Sequence, residues 1–516
     1  MSSADSTCNH AKGERMSELR VLTKSGYLKG LQCPKLLWYA YNGKDRFPPV
    51  DERTQALFDQ GHQVGLLAQK LYPEGIAVEW EAQSGRPDEK AAELRALLKL
   101  RKPLFEPALL FERCSARADI LEPSGRNAWN IVEVKSGTSV KNPNWDDLAF
   151  QRCCGQGAGL RIDRCVVLHI DNTYVREGDI DPTGLFLRED VTEAAEEKAK
   201  GIEDQIDDML RVIGLPAPPE VDIGPQCRAP YECPLVPLCW KKVTEIENNI
   251  FTLTRIGAKA WPLYRDGIVS SDRIPPTFHL SKAQRIQLQA ERDGKPRIDR
   301  AAVAGFLDGL EYPLHFLDFE TFQTAIPLVD GTRPYQQIPF QFSLHVAQSL
   351  EGAPSRFSWL WDGKGDPRKE MLERLTPAIG ESGSIVSYNA PFEISRLEEC
   401  VAAHPEFASW WEKARERIVD LLAPFRSFAV YFPAQRGSAS MKQVLPALSG
   451  KSYKDLAIQD GSQASEEFKR VTFGNATAQE RREVRKNLEA YCGLDTLGMR
   501  DIVKALWTIA EPKTRS

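Results

Sequence analysis

Two apolar stretches in widely separated parts of the chain each carry charged residues two positions apart. In AWNIVEVKSG the pair is Glu133 and Lys135, and in YPLHFLDFET it is Asp318 and Glu320. Short apolar runs bounded by polar residues predict β-strands, and residues two apart on a strand project from the same face. Each stretch therefore predicts a strand that presents two charged groups side by side.

The elements around these strands predict an α/β fold. Strands lead up to Lys135, and DDLAFQRCCGQGAGL predicts a crossover helix before the next strand, RCVVLHID. This order builds a central sheet with helices packed on it. A second series of strands begins at YPLHFLDFET and ends in a long helix from AQERREVRKNLEAYCGLDTLGMRDIVKAL. We assign residues 1–245 to a first domain, the polar, turn-rich residues 246–310 to a linker and residues 311–516 to a second domain.

Composition limits the cellular setting and the kinds of partner. The N-terminal stretch MSSADSTCNHAKGERMSEL is polar, and no later run of 18 apolar residues is present, so we expect a cytoplasmic protein with no membrane contact. The formal net charge is −5 at pH 7. Contacts with nucleic acid must therefore come from local basic grooves and not from the overall field.

The first candidate site combines two carboxylates and a lysine. Asp119 ends the stretch ARAD, on the strand before the one that carries Glu133 and Lys135. Two carboxylates can hold Mg²⁺ or Mn²⁺, and a neighbouring lysine can orient a metal-bound water or offset the charge of a phosphate. The pattern predicts a site that cuts phosphodiesters. The alternative is a chance pair of charges on a solvent-exposed strand.

These residues, followed by Gln151 at the start of a helix, resemble the PD-(D/E)XK nuclease superfamily in its RecB-like branch. The resemblance covers about 240 residues and implies a restriction-endonuclease-like fold for the first domain. It also implies that Asp119 and Glu133 bind the metal and that Lys135 and Gln151 take part in catalysis. Gly155 departs from the family, since many relatives have a tyrosine four residues after the glutamine.

A cysteine-rich stretch, CRAPYECPLVPLCW, places Cys227, Cys233 and Cys239 six residues apart each time. Three thiols are an incomplete ligand set for a metal. RecB-like nucleases that carry an iron-sulfur cluster have one cysteine near the N-terminus and three after the nuclease core, and Cys33 in LQCPKLLW matches the first. Four thiolates suit a [4Fe-4S] cluster or Zn²⁺. The resemblance favours a structural [4Fe-4S] cluster, and the alternative is a set of ordinary buried cysteines.

The second candidate site draws on three separate stretches. Asp318 and Glu320 share a strand face, YNAPFE contributes Glu393 where a strand passes into a helix, and YCGLDTL places Tyr491 and Asp495 on one side of the terminal helix. Four carboxylates and a tyrosine predict a two-metal site. One ion would activate water, the other would stabilise the leaving oxygen, and the tyrosine would aim the water.

These motifs occur in the order found in the DEDDy 3′-to-5′ exonucleases, and residues 312–510 resemble that family. The resemblance implies a ribonuclease H-like fold and two Mg²⁺ or Mn²⁺ ions bound by the four carboxylates. Glu393 departs from the family, which has aspartate there, and one extra methylene shifts a ligand of an ion that tolerates little distortion. Asp420 falls where many relatives have a further aspartate.

Between the two domains, LTRIGAKAWPLYRDGI resembles a helix-hairpin-helix, in which backbone N–H groups around a glycine turn bind a phosphate. Arg255, Lys259 and Arg265 would add positive charge. A simple linker turn is the alternative.

The whole order of motifs resembles a bacterial family in which a RecB-like iron-sulfur nuclease is fused to a DEDDy-type exonuclease. It implies a metal-dependent nuclease with two active sites, acting exonucleolytically on single-stranded DNA, with a helicase or another repair or defence protein as a partner. Two alternatives remain open. One is a nuclease that acts on RNA, and the other is an iron-sulfur-stabilised adaptor that binds nucleic acid with one or both sites inactive.

Overall fold

The computed structural model describes residues 20–78 and 87–511, which divide into two compact units. The first unit comprises the described residues of Met1–Pro48, Val64–Ile170 and Phe186–Val236. The second comprises those of Pro49–Gln63, Asp171–Leu185 and Pro237–Ser516. Helices and mixed sheets make up both units, which confirms the predicted α/β class.

The described strands are β1 (Leu22–Thr23), β2 (Ile76–Ala77), β3 (Leu104–Phe105), β4 (Ala108–Phe111), β5 (Cys114–Arg117), β6 (Ile120–Ser124), β7 (Ala128–Lys135), β8 (Arg161–Ile170), β9 (Phe186–Asp190), β10 (Arg297–Ile298), β11 (Leu314–Phe322), β12 (Ile338–Ala347), β13 (Ser355–Leu360), β14 (Ile385–Ser387), β15 (Ile418–Asp420) and β16 (Val430–Tyr431). The described helices are α1 (Lys24–Gln32), α2 (Pro34–Asn42), α3 (Glu52–Gln69), α4 (Pro87–Leu98), α5 (Asn142–Gly157), α6 (Pro182–Leu185), α7 (Thr192–Ala199), α8 (Ile202–Gly214), α9 (Val236–Cys239), α10 (Lys241–Thr244), α11 (Ala260–Arg265), α12 (Lys282–Asp293), α13 (Arg300–Asp308), α14 (Pro367–Ile379), α15 (Pro391–Ala403), α16 (Ala408–Arg415), α17 (Ala423–Arg426), α18 (Met441–Ser449), α19 (Gly461–Phe473) and α20 (Ala478–Ala510).

A mixed sheet in the order β2-β3-β6-β7-β8-β9 forms the centre of the first unit. Strand β7 pairs antiparallel with β6 and parallel with β8, and α5 connects β7 to β8. Because β7 has a neighbour on each side and helices cover the sheet, its first six residues are buried. The stretch predicted as one strand around Asp119 is instead divided between β5 and β6, and Asp119 lies in the break between them.

Helix α5 begins at Asn142, so Gln151 lies in its second half and not at its start as the sequence predicted. The backbone N–H of Lys141 donates to the side chain of Asn144 at 2.8 Å, and Pro143 occupies the first turn. Both features fix an earlier start for the helix. Lysine is not among the residues that usually cap helices, so the sequence carried no clear signal for this boundary.

The second unit contains a sheet in the order β13-β12-β11-β14-β15. Strand β11 is central, antiparallel to β12 and parallel to β14, and β14 is parallel to β15. The register of β11 against β12 shifts between Glu320 and Thr321. Such bulges re-aim side chains and are frequent next to functional sites.

Helix α20 runs for 33 residues and packs against β11 and β12, which confirms the predicted long terminal helix. It begins with a reciprocal capping interaction. The Thr477 hydroxyl accepts from the N–H of Glu480 at 3.2 Å, and the Glu480 carboxylate accepts from the N–H of Thr477 at 2.8 Å. The cap sets where α20 starts and therefore which of its residues face β11.

Residues 246–310, predicted as a linker, belong to the second unit and contain α11, α12, β10 and α13. They have a small apolar core of their own, which includes Ile250, Ile256 and Leu288. Gly257 adopts a positive φ of 52° just before α11, but a short 3₁₀ turn, Ile250–Thr252, is the element that precedes it. Only one arm of the predicted helix-hairpin-helix is therefore an α-helix.

None of the described helices is both long enough and apolar enough to cross a membrane. The N-terminal stretch on which the expected cytoplasmic location partly rests lies outside the described residues.

A glycine at the start of β14 offers a test of the second unit's packing. Gly383 has a φ of +83°, and a Cβ there would lie 2.0 Å from the carbonyl oxygen of Pro313. We expect Gly383→Ala to lower the free energy of unfolding by about 3 kcal/mol or more, because strain and a backbone clash add. Gly380→Ala is the matched control: its φ is +62° with nothing within 4 Å of the new methyl group. The control should cost about 1 kcal/mol. Calorimetric unfolding of both variants measures the difference, and equal costs would contradict the packing described.

Candidate active sites

The first site lies at the end of β7, where Glu133 and Lys135 project together as predicted. The Lys135 Nζ atom lies 2.6 Å from Glu133 Oε1. Gln151, on α5, donates from Nε2 to Glu133 Oε2 at 2.6 Å. The βαβ connection thus brings the lysine and the glutamine onto opposite oxygens of one carboxylate.

Asp119 joins this group through the backbone of β7. Its Oδ2 atom accepts a hydrogen bond from the N–H of Val134 at 2.7 Å. Burial, with the nearby Glu133 carboxylate, raises the pKa of Asp119 to about 7. All four residues predicted for the first site are therefore neighbours.

The structure adds two residues that sequence reasoning missed, Lys24 and Asp147. Lys24, at the first position of α1, places its Nζ 2.9 Å from Glu133 Oε1 and 3.5 Å from Asp147 Oδ1. Asp147 also accepts from Lys135 at 3.1 Å and from Gln151 at 3.0 Å. Asp147 precedes Gln151 by one helical turn, which is a spacing signal that the sequence contained. No comparable signal marked Lys24, which lies more than a hundred residues away from Glu133.

Electrostatics in the first site favour an ionised Glu133. Burial disfavours its charge, but the ammonium groups of Lys135 and Lys24 outweigh burial and hold the pKa of Glu133 well below its usual range. Glu133 is only 1% exposed. The alternative of a chance pair of charges on a solvent-exposed strand is therefore wrong for Glu133, and its removal would leave two ammonium groups without their closest partner. Half-buried Glu106, between β3 and β4, pairs with Arg117 at 3.3 Å.

The second site assembles on the central strand β11. Ligand atoms of Asp318, Glu320 and Cys492 lie within 4.8 Å of one another. The Cys492 thiol, on α20, donates to Asp318 Oδ2 at 3.5 Å. No pattern in the sequence marked Cys492, whose thiol faces Asp318 on β11.

Helix α20 also supplies Asp495, which is 9% exposed. Asp495 contacts Tyr453, another residue that sequence reasoning missed. The Tyr453 hydroxyl donates to Asp495 Oδ1, and its ring lies 5.9 Å from that of Tyr491. Burial raises the pKa of both tyrosine hydroxyls above their ordinary range. Both tyrosines therefore stay protonated at neutral pH and can donate a hydrogen bond.

The four predicted carboxylates of the second site repel one another. Burial raises the pKa of Asp318 well above its ordinary value, and the charges of Asp495, Glu320 and Glu393 raise it further. Burial also raises the pKa of Glu320 strongly, that of Glu393 to about 8 and that of Asp495 to about 7. Lys442 acts in the opposite direction on Glu320 and Asp495. Within the described residues, none of the four carboxylates forms an ion pair with a lysine or arginine.

Glu393 is buried in the first turn of α15, and its Oε2 atom has no hydrogen-bond partner among the described residues. A buried carboxylate oxygen without a partner is costly unless something else occupies that position. Together with the mutual repulsion, this orphan oxygen fits a site for divalent cations.

Asp420, considered as an assisting ligand, has a structural role. Its Oδ1 atom accepts from the N–H of Asn389 at 3.0 Å and of Leu422 at 3.0 Å. Its Oδ2 atom lies 3.2 Å from Arg426. Asp420 thus fixes the turn that leads into α15 and, with it, the position of Glu393.

Gln32 connects α1 to the cysteine-rich loop of the first unit. Its Nε2 atom donates to the carbonyl oxygens of Gln226 at 2.8 Å and Tyr231 at 2.7 Å. These contacts hold Cys33, the next residue, beside the loop that begins at Cys227.

A backbone hydrogen bond closes the loop from Cys227 to Cys233. The N–H of Cys233 donates to the carbonyl oxygen of Cys227 at 2.9 Å, and Cys233 accepts from the N–H of Val236, the first residue of α9. Cys227 and Cys233 are buried, while Cys33 and Cys239 are half-buried. The buried thiols and the turn suit a set of soft ligands, and Cys239 follows at the end of α9.

Comparisons with known proteins identify a similar family and a similar protein, neither of which has a described activity. Residues 315–440 match the family model described as a domain of unknown function, DUF2779. The chain is also similar to a protein of Mycoplasma pneumoniae (strain ATCC 29342 / M129 / Subtype 1), described as "Uncharacterized protein MG366 homolog", with 28% identity over 204 residues. That similarity covers 36% of this chain and 30% of the relative. The DUF2779 match includes three of the four carboxylates of the second site and ends before Asp495.

The raised pKa of Asp495 leads to a pH-dependent prediction. In the unfolded chain this carboxyl titrates near its ordinary value of 3.8, whereas in the fold its pKa is about 7. Its contribution to stability is therefore fully present below about pH 4 and is lost as the pH rises towards 7. In EDTA at pH 8 we expect Asp495→Asn to raise the free energy of unfolding by up to about 4 kcal/mol, and by about 2 kcal/mol at pH 5.

Exposed Asp179 supplies the matched control, because Asp179→Asn makes the same chemical change in the same unit away from the site. Thermal unfolding at the two pH values, in EDTA, measures both variants. A control that is stabilised as much as Asp495→Asn, or a gain that does not shrink at pH 5, would contradict the unfavourable burial of the Asp495 carboxylate.

Proposed function

We propose that this protein is a metal-dependent nuclease whose second unit removes nucleotides from the 3′ end of a nucleic acid strand, with DNA favoured over RNA. The observation that carries the proposal is a cluster of four carboxylates from β11, α15 and α20 without a compensating ion pair among the described residues. Asp318 is half-buried, and the other three are buried. Folding such a group costs free energy, which a bound divalent cation offsets.

The strand order of the second unit supports a ribonuclease H-like fold. Three antiparallel strands, β13, β12 and β11, are followed by two parallel ones, β14 and β15, and α20 packs on the sheet. The DEDDy-type order of motifs, from Asp318 to Asp495, falls on these elements. The proposed exonuclease activity therefore rests on topology and on side chains together.

The chain's own residues have clear tasks in the proposed reaction. Asp318, Glu320, Glu393 and Asp495 would hold two Mg²⁺ or Mn²⁺ ions. Such ions, when bound, lower the pKa of water and stabilise charge on the phosphate. The Tyr453 hydroxyl holds Asp495 in position, and the protonated Tyr491 hydroxyl orients the attacking water. The oxygen of water bonds to phosphorus, the bond to the 3′ oxygen breaks, and that oxygen takes a proton as a nucleoside 5′-monophosphate leaves.

The first unit is proposed as a second, RecB-like nuclease site of the PD-(D/E)XK type. Asp119 and Glu133 would hold the metal ion, and Gln151 and Lys135 already contact Glu133. The buried Oε1 atom of Gln151 has no partner among the described residues, which leaves an acceptor for a metal-bound water. Lys24 and Lys135 lie where they can offset phosphate charge.

Cys33, Cys227, Cys233 and Cys239 are proposed to hold a [4Fe-4S] cluster. The first three lie in the first unit, and Cys239 lies three residues after its last residue, Val236. The hydrogen bonds of Gln32 support this set, because they bring a residue near the N-terminus to a loop almost two hundred residues later. A cluster at this position would act structurally, by linking the two ends of the unit. A cytoplasmic location and a helicase, repair or defence partner remain part of the proposal.

The nuclease proposal predicts two separable activities. In a Lys135→Ala background, we expect stepwise digestion of 5′-labelled single-stranded DNA from its 3′ end with Mn²⁺ or Mg²⁺. Adding Asp318→Asn should reduce that digestion by at least about a thousandfold, because it removes a carboxylate that binds the metal. Gel analysis of the product ladder measures the rate, with RNA of the same sequence in parallel.

The same protein offers a readout that needs no catalysis. Mn²⁺ should raise the melting temperature of the Lys135→Ala protein by more than that of the Lys135→Ala, Asp318→Asn protein, in which only the first site can still bind the ion. Digestion that persists after Asp318→Asn would reject the second active site. A protein that binds DNA but shows neither digestion nor a Mn²⁺ shift would support the adaptor alternative.

The cluster proposal predicts a brown protein with about four iron atoms per chain when it is purified without oxygen. Cys33→Ala should lose most of the iron, because it removes one of four ligands. Cys153→Ala, a half-buried cysteine on α5 outside the proposed set, is the matched control and should retain the iron. Iron content and visible absorption measure both variants. Full iron in Cys33→Ala, or stoichiometric zinc in a colourless wild-type protein, would overturn the assignment.

A further inference from the structure

A cavity of about 810 Å³ lies in the second unit, outside the carboxylate cluster. It is bounded by the turn before α11, the start of α12, the turn before α15 and the start of α18. Its lining includes four cationic residues and no carboxylate among the described residues. The cationic residues are Arg255, Lys259, Lys282 and Arg426. We call this space the basic cavity.

The positive charge of the basic cavity is largely uncompensated. Arg255, Lys259 and Lys282 are exposed and form no ion pair with a described carboxylate. Lys282 is also the first residue of α12, a 12-residue helix whose N-terminal end adds a partial positive charge. In a chain with a formal net charge of −5, such a concentration of positive charge favours an anionic ligand.

Two buried amide side chains hold the backbone turn that precedes Arg255 in place. Gln284 donates from Nε2 to the carbonyl oxygen of Thr254 at 3.0 Å, and Gln287 accepts from the N–H of Thr254 at 2.8 Å. Gln287 also donates to the carbonyl oxygen of Thr252 at 3.0 Å. These bonds fix the backbone directly before Arg255, so its charge is positioned before any ligand arrives.

Two elements line the basic cavity and also contribute to the carboxylate site. Tyr388 and Asn389 line the cavity, and Glu393 follows Asn389 by about one turn at the start of α15. Met441 lines the cavity at the start of α18, and the next residue, Lys442, acts on the Glu320 and Asp495 carboxylates. Both elements therefore lead from the cavity towards the carboxylate site.

Aromatic side chains indicate the kind of anion. Half-buried Tyr388, together with Phe428, which is 9% exposed and stacks on Tyr431, lines the same cavity as the cationic residues. Cationic groups beside aromatic faces are typical of sites for single-stranded nucleic acid, where phosphates contact the charges and bases stack on the rings. The volume suits a few units of a separated strand, since sites that enclose small ligands span about 300–1,000 Å³.

We propose that the basic cavity binds the sugar-phosphate backbone of a single-stranded nucleic acid and directs its 3′ end to the carboxylate site. This inference rests on the exonuclease function proposed above and identifies where its substrate binds. Arg255, Lys259 and Lys282, all outside the ribonuclease H-like sheet, contact the phosphates upstream of the scissile bond. Contacts with phosphates carry no base preference, so binding is independent of sequence.

The test removes two charges of the cavity in the Lys135→Ala background, where only the second unit digests the strand. Lys259→Gln with Lys282→Gln should raise KM for a single-stranded oligonucleotide about tenfold and leave kcat within about twofold, because the contacts act on binding alone. The matched control is Lys295→Gln with Lys413→Gln, two exposed lysines of the same unit that do not line the cavity. Both double variants change the net charge equally.

A binding measurement separates this inference from the nuclease proposal. In EDTA, labelled DNA and RNA oligonucleotides should bind the cavity variant more weakly than the control variant. The slope of log K against log salt should fall by about 0.7 for each lysine removed. A KM and a salt slope equal to those of the control would overturn the inference, even if digestion is normal. Absence of digestion in every variant would reject the nuclease proposal, while the binding comparison would still decide the role of the cavity.

A competitor distinguishes a nucleic acid from an acidic protein segment. Unlabelled oligonucleotide should displace the labelled strand, whereas polyglutamate of equal charge should compete at least about tenfold less well, because it offers no bases to the aromatic faces. Equal competition by the two polymers would overturn the assignment to nucleic acid.

Discussion

Repulsion among buried carboxylates constrains the second unit more than any other interaction. Strand β11 lies in the centre of the sheet, and apolar residues such as Phe316 and Phe322 surround Asp318 and Glu320 along it. Helix α20 adds Asp495 and α15 adds Glu393, which concentrates negative charge where water cannot disperse it. The Tyr453 hydrogen bond holds Asp495 in place in spite of that repulsion, and the bulge in β11 lies directly after Glu320. This is the arrangement expected of a site that is completed by cations.

In the first unit, ammonium groups compensate the charge of a buried carboxylate. Glu133 is more deeply buried than the acids of the second site, but Lys135 and Lys24 supply two ammonium groups within 3 Å of its Oε1 atom. Its charge is therefore compensated inside the protein. A metal ion that binds there has to share Glu133 with these lysines, whereas an ion in the second site meets no such competitor. The two proposed active sites should consequently differ in metal affinity, with the second unit binding more tightly.

Residues 246–310, between the two series of motifs, contribute to the surroundings of the second site. The stretch 246–310 forms its own small core and places Arg255 and Lys259 beside the start of α15. Gln284 and Gln287 are buried on α12, and their amide groups form hydrogen bonds with the backbone of Thr254, just before Arg255. A polar segment that looks like a connector in the sequence thus shapes a wall of a cavity next to the second site.

The sequence by itself determined the elements and the residues that act through local spacing. Alternation along β7 and β11 showed that Glu133 with Lys135, and Asp318 with Glu320, share a strand face, and the i to i+4 spacing placed Tyr491 and Asp495 together on one helix. Only the tertiary structure brought in Lys24, Tyr453 and Cys492, because their contacts join segments far apart in the chain and leave no local pattern. Asp147 did have a local signal, one helical turn before Gln151. The tertiary structure also decided the charges of the sites. A carboxylate with the same spacing has a low pKa beside two lysines and a high one among other acids, and burial and neighbours of this kind exist only after the chain has folded.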